Sequence, residues 1–186
     1  MEYAMTNIIA AVDPSLTGTA ICILEADTYG LIYLTTFKVP KDTIGVTRLA
    51  WLSKQVNATL KAHSPKEVFI EGYSFMSKGR SIFNLGELGG IFRLLLAKKW
   101  GGYYEIAPTS LKKFITGKGN SKKQIMLEQT YRKYGLGSET LKDDNQVDAY
   151  GLARFGASFL KWDQGDDTFA KYEIEALKGL NAKCTL

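Results

Sequence analysis

Apolar residues fall into two rhythms along this chain. Ile8-Ile9-Ala10-Ala11-Val12 and Val68-Phe69-Ile70 are unbroken apolar runs, each closed by an acid, Asp13 and Glu71, and each reads as a buried strand. Thr19 to Leu24 and Leu31 to Val39 predict two more strands. The turn Pro14-Ser15-Leu16-Thr17-Gly18 and a second turn near Asp27 to Gly30 fold the first three into an antiparallel meander. From Thr47 to His63 the period changes: Leu49, Leu52, Val56 and Leu60 recur at helical spacing, and Ser64-Pro65 ends the run. A helix crossing there makes the Val68–Glu71 strand parallel to the first.

Ile82 to Trp100 predicts a long helix with Leu85, Leu88, Gly89, Phe92 and Leu96 on one face. Gly89 and Gly90 inside it cost roughly 1 kcal/mol each relative to Ala, a cost that close packing on the sheet or on a second chain would offset. Tyr103 to Ala107 reads as a strand. Pro108 opens a helix carrying Leu111, Phe114 and Ile115, and further helices are expected over Ser121–Tyr134 and Asp144–Leu160. The class is α/β, with a mixed central sheet flanked by helices.

Composition narrows the chemistry. The 186 residues are 45% apolar, enough for the core of one domain, which we place at residues 1–160 with a C-terminal extension at 161–186. No apolar run approaches the ~18 residues of a membrane span and no signal peptide opens the chain, so a soluble, cytoplasmic protein is expected. Two cysteines, Cys22 and Cys184, are too few for a disulfide framework or a thiolate zinc site and read as inert thiols. A single histidine, His63, leaves little material for a Ser/His/Asp triad, so any hydrolytic chemistry rests on carboxylates. The net charge is +5, and its distribution says more than its size. Lys112, Lys113, Lys118, Lys122 and Lys123 lie between Pro108 and Lys123 with no acid among them, a pattern suited to phosphate. From Asp163 onward the sign reverses, with five acids against three lysines.

Three acids stand out. Asp13 and Glu71 each sit where a buried strand ends, an unfavourable place for ionised oxygen unless a cation or hydrogen-bond donors compensate. Asp13 and its glycine-containing turn fit two chemistries, metal binding in a nuclease or phosphate wrapping in an actin-like ATPase or sugar kinase; a plain turn cap is the structural alternative. Behind Glu71 runs a segment, Gly72 to Arg80, with aromatic and basic side chains. Tyr73 or Phe75 stacked on an unpaired base would contribute ~1–3 kcal/mol, while Lys78 and Arg80 would meet phosphates; alternatively both aromatics belong to the core. Asp148 shares a helix face with Asn145 and Asp144, so two oxygen donors can point one way. Asp143 and Asp144 also complement the helix dipole, which leaves the deeper Asp148 without that explanation. Converging carboxylates of this kind suit Mg²⁺ or Mn²⁺.

Taken together, four motifs carry a resemblance: Asp13-Pro14-Ser15-Leu16-Thr17-Gly18, Ile70-Glu71 with its aromatic-Met-Ser-Lys segment, the lysine-rich stretch from Lys112 to Gln124, and Asp143-Asp144-Asn145-Gln146-Val147-Asp148-Ala149. In that order, between about Asn7 and Leu160, the chain resembles the RuvC family of Holliday junction resolvases. The resemblance implies an RNase H-like fold and a homodimer acting on branched DNA, especially four-way junctions. It also implies symmetric cutting with two Mg²⁺ ions per active site, with Mn²⁺ able to substitute. By motif match, Asp13, Glu71 and Asp148 become metal-binding catalytic acids, and Lys112 and Lys123 the basic residues near the scissile phosphate. Phe75 or Tyr73 becomes the wedge at the junction, and the helix with Gly86, Gly89 and Gly90 the dimer element. Asn145 stands where the family has Asp or His, so the fourth ligand is either its amide oxygen or Asp144.

Three rivals accompany this reading. A broader nuclease for flaps, forks or three-way junctions would use the same residues. A non-catalytic branched-DNA binder would have lost its metals through Asn145, against the retention of three acids. The ATPase or kinase lacks room for a second lobe in 186 residues. Recombination, repair and debranching of replicating DNA all remain open as the host process. The small size and diverged motifs suit a phage source, which would make the compartment the host cytoplasm.

Overall fold

The computed structural model describes residues 7–73 and 81–186. Its centre is a five-stranded sheet built from β1 (Ile8–Asp13), β2 (Gly18–Glu25), β3 (Leu31–Lys38), β4 (Glu67–Glu71) and β5 (Tyr104–Ile106), in the order β3-β2-β1-β4-β5. The meander β1-β2-β3 is antiparallel, while β4 pairs parallel to β1 and β5 parallel to β4. The apolar run of β1 divides by alternation. Ile9 and Ala11 face one core with Phe69, and Ala10 and Val12 face the other with Val68 and Ile70. Both faces are covered, which is why β1 and β4 read as continuous apolar runs.

One face is covered by α1 (Gly45–His63) and α2 (Ser81–Lys99), which bury Leu52, Val56, Leu60, Leu88, Phe92 and Leu96. The other is covered by α5 (Asp144–Asp163), with α3 (Pro108–Thr116), α4 (Lys123–Tyr134) and α6 (Lys171–Leu177) around it. Small residues bring α5 close. A Cβ on Gly156 would lie 2.5 Å from Cδ2 of Phe69 on β4. Gly151 meets a different neighbour: its Cβ would lie 2.6 Å from Cδ1 of Ile115 on α3.

Other departures have local causes. Helix α4 starts at Lys123 rather than Ser121, because the Ser121 hydroxyl is tied into the preceding turn with Thr116 (2.6 Å) and the Lys118 carbonyl (2.9 Å). The acidic tail, with no helix expected, forms α6, which places Ala176 and Leu177 in the core and Glu173 against Lys133. Near the C-terminus the backbone of Cys184 pairs with Tyr103. Both cysteines are free, and burial pushes the Cys22 thiol up. Among the described residues no helix is long and apolar enough to cross a membrane.

Phe69 is fully buried and stacked on Tyr104 with ring centroids 5.0 Å apart, so its ring cannot retreat from a side chain at residue 156. Gly156→Val is therefore expected to lower the unfolding free energy by about 1–3 kcal/mol through overpacking. Urea denaturation measures this, and an unchanged midpoint would contradict the close approach of α5 to β4.

Candidate active site

Parallel pairing of β1 with β4 aligns Val12 with Ile70, so the next residues, Asp13 and Glu71, emerge side by side at the C-terminal edge of the sheet. The chain leaves β1 through a turn that Thr19 holds closed: its hydroxyl donates to the Ser15 carbonyl (2.7 Å) and accepts from the Ser15 amide (3.1 Å). Asp13 is only 6% exposed. The third acid arrives from the opposite layer on α5, whose first turn is capped by Asp143. That carboxylate accepts from the Gln146 amide (2.9 Å) and from the Thr36 hydroxyl of β3 (3.0 Å), fastening the helix start to the edge of the meander.

Charge is concentrated here without matching compensation. Burial raises the Asp13 carboxyl well above the usual range, and the charges of Glu71 and Asp148 raise it further against the pull of Lys123. Burial, then Asp148, pushes Glu71 to about 7, although a hydrogen bond with Asp13 and the charges of Lys112 and Lys123 oppose it. Asp148 is pushed to about 6 by burial and by Asp144, again against Lys123 and Lys112. Burial works against the Lys123 ammonium, but Asp144, Asp148 and Asp13 outweigh it and hold its pKa above the ordinary lysine range.

Hard oxygen donors whose burial and crowding disfavour ionisation suit a divalent cation, whose binding would displace protons. Among the described residues, no three His, Cys, Asp or Glu side chains are already gathered tightly enough to enclose one.

The remaining expected residues divide. Asp144 is exposed and its Oδ2 lies 3.1 Å from Lys123 Nζ. Asn145 lies against the turn after Asp13, where a Cβ on Gly18 would come within 2.8 Å of its Nδ2. Lys112 acts on Glu71 and Asp148 through its charge. Lys118 and Lys122 are exposed. Lys113 turns to α6 and pairs with Glu175 at 2.6 Å. Tyr73 is docked on α2, donating its hydroxyl to the Gly86 carbonyl (3.2 Å) and stacking on Arg93. Phe75, Lys78 and Arg80 lie outside the described residues. His63 packs beside Tyr33, away from this edge. Sequence reasoning overlooked Thr36 and the capping role of Asp143; the spacing of Asp143 and Gln146, an N-cap acid three residues before a Gln, was the available signal.

Comparison with known proteins is consistent with this geometry. The family model described as crossover junction endodeoxyribonuclease RuvC matches residues 9–152. Curated relatives carrying that name include one from a Sulfurovum species, 27% identical over 147 residues covering 78% of this chain and 91% of the relative. One from Thermotoga petrophila is 28% identical over 147 residues, covering 78% and 88%. Among solved structures, Thermus thermophilus RuvC superposes with a TM-score of 0.70 at 18% identity, covering 84% of this chain and 96% of that one. The same protein in complex with Holliday junction substrate gives 0.69 at 16% identity, covering 83% and 95%. At that identity the structures establish the fold, which is RNase H-like.

Raised carboxyl pKa values mean that the folded chain binds protons the unfolded chain has released. Unfolded carboxyls titrate near pH 4, so the contribution of these acids to stability is complete below about pH 4. It is lost as pH rises through the folded values of about 6 for Asp148 and about 7 for Glu71. Without divalent metal, Asp13→Asn is expected to melt above wild type at pH 8 and to lose most of that advantage at pH 5. Melting curves at the two values check it; an advantage independent of pH would contradict the electrostatic cause.

Proposed function

This chain belongs to the RuvC family, and from that premise we propose that it is a metal-dependent endodeoxyribonuclease that resolves four-way DNA junctions in the cytoplasm. The observation that carries the reading is the convergence of buried Asp13 with Glu71 and Asp148 on one sheet edge, faced by Lys112 and Lys123. Asp13 and Asp148 would hold one Mg²⁺, and Asp13 with Glu71 a second. Bound there, the ions supply activation of the attacking water and neutralisation of the leaving 3′ oxygen. Asn145, set against the Asp13 turn, adds a neutral oxygen donor, while Asp144 is engaged by Lys123.

The protein's own groups do the rest. Lys123, kept protonated by the acids around it, and Lys112 orient the scissile phosphate and balance its charge in the transition state. Lys118 and Lys122 are free to meet the DNA arms, where exposed ammonium groups position the backbone without reading sequence. Lys113, already paired with Glu175, has no part in this account. The wedge is assigned to Phe75, because Tyr73 is occupied by α2. Cleavage leaves 5′-phosphate and 3′-hydroxyl ends.

Paired cuts need paired sites, and the α1–α2 layer offers a face for a second copy. Ile44, Val46, Phe83 and Leu94 are each more than half exposed there, and Gly86 and Gly90 have open space above them. A two-fold dimer through this face would present two active sites to one junction.

The test is cleavage of end-labelled four-way junction, three-way junction, flap and linear duplex in Mg²⁺ and in Mn²⁺, with wild type beside Asp13→Asn. Paired symmetric nicks on the four-way junction are expected, lost in Asp13→Asn while binding survives. Faster cutting of flaps or three-way junctions would replace this reading with a broader branched-DNA nuclease. Absence of metal-dependent cutting on every substrate would leave only DNA binding.

A further inference from the structure

The apolar run from Ile91 to Leu96 of α2 is interrupted by one charge. Arg93 sits among Ile91, Phe92, Leu94 and Leu95, yet its side chain is only 13% exposed. It reaches across to the strand ends. Nε donates to Oε2 of Glu105 on β5 at 2.8 Å, and Nη2 lies 2.8 Å from the same oxygen. Nη2 also donates to the backbone carbonyl of Glu71 at 3.4 Å. The guanidinium carbon lies 4.0 Å from the Tyr73 ring centroid, and Nη1 is buried without a partner.

Two glycines leave room for this cluster. A Cβ on Gly89 would come within 2.6 Å of both Arg93 Nη1 and the Tyr73 hydroxyl, and a Cβ on Gly72 within 3.1 Å of Glu105 Oε1. Gly89 is thereby explained by this packing rather than by a second chain. A small cavity of about 50 Å³ is lined by Arg93 and Tyr73 together with Pro14 and Glu71, so the cluster adjoins the Asp13 turn as well.

Glu71 is the last residue of β4, and its outer neighbour β5 is only three residues long. Past Glu71 the ladder continues through one bond, from the Gly72 amide to the Ile106 carbonyl at 2.8 Å. The pairing with β1 stops one residue earlier, at Val12 and Ile70, so a further anchor would help fix the Glu71 carboxylate to the ~0.5 Å that a functional site demands. We propose that Arg93, held by Glu105, is a positioning residue for Glu71: its planar fork clamps the end of β4 to α2 and so fixes where the Glu71 carboxylate is presented. This rests on the reading of Asp13, Glu71 and Asp148 as the cation-binding acids. Lysine retains the charge but replaces the planar fork with one nitrogen on a flexible stem, so it holds Glu105 and the Glu71 carbonyl less rigidly.

The experiment compares full-length wild type, Arg93→Lys, Glu105→Gln and the double variant. Melting without metal, Mn²⁺ binding by calorimetry without DNA, and kcat and KM on a four-way junction are measured for each. Both single variants are expected to stay folded, to bind Mn²⁺ roughly tenfold more weakly, and to lose kcat by a similar factor with KM unchanged, as when a group supporting a metal ligand is removed. The double variant is expected to be no worse than either single one, because the two residues act as one clamp. Mn²⁺ affinity and kcat within twofold of wild type in folded variants would overturn the proposal. So would unfolding of both single variants, which would make the pair a stability element. A wild type that neither binds Mn²⁺ nor cuts would defeat the nuclease reading beneath it, a result distinct from either.

Discussion

The cost of burying three carboxylates together governs much of this molecule. Asp13 and Glu71 emerge side by side because two parallel strands end in register, and Asp148 is brought to them from the opposite layer. Burial disfavours ionisation of all three, the charges of Glu71 and Asp148 add to that at Asp13, and lysines at the rim oppose it. Such an arrangement is poor design for stability alone, since apolar residues at these positions would pack without penalty. It becomes intelligible when a divalent cation completes it.

Much of the surrounding architecture serves that convergence. Small residues let α5 approach the sheet closely enough for Asp148 to act on Asp13 and Glu71, with Gly156 resting against Phe69. The Thr36–Asp143 bond fastens the start of α5 to the edge of the meander, so Asn145 and Asp148 do not depend on the helix's own rigidity alone. Arg93 gives the end of β4 a comparable anchorage from the other layer. The site is thus tied to both helical layers and to the sheet between them.

The RNase H-like sheet was legible in the chain because its rules are local: two unbroken apolar runs, a meander with clear turns, and helices of plain period. Parallel pairing of β4 with β1 followed from the crossover between them. The helix in the acidic tail was not legible, since α6 is short and has only Ala176 and Leu177 to bury. Among the site residues, Lys113 and Tyr73 matched a motif, but their side chains turn to Glu175 and to α2. Motif position specifies where a Cα lies and leaves open which neighbour a long side chain finds. Arg93 and Thr36 escaped notice because their partners, Glu105 and Asp143, are 12 and 107 residues away along the chain. The 74–80 segment, with Phe75, Lys78 and Arg80, lies outside the described residues.

The central claim is that a cation takes the place of protons that burial favours on Asp13, Glu71 and Asp148. Calorimetric titration of Mg²⁺ into DNA-free protein near pH 6.5, repeated in buffers of different ionisation enthalpy, counts the protons released on binding. Net release of at least one proton per protein in wild type, falling markedly in Asp13→Asn, is the expected result. Binding with no proton released, or the same release from Asp13→Asn, would contradict it.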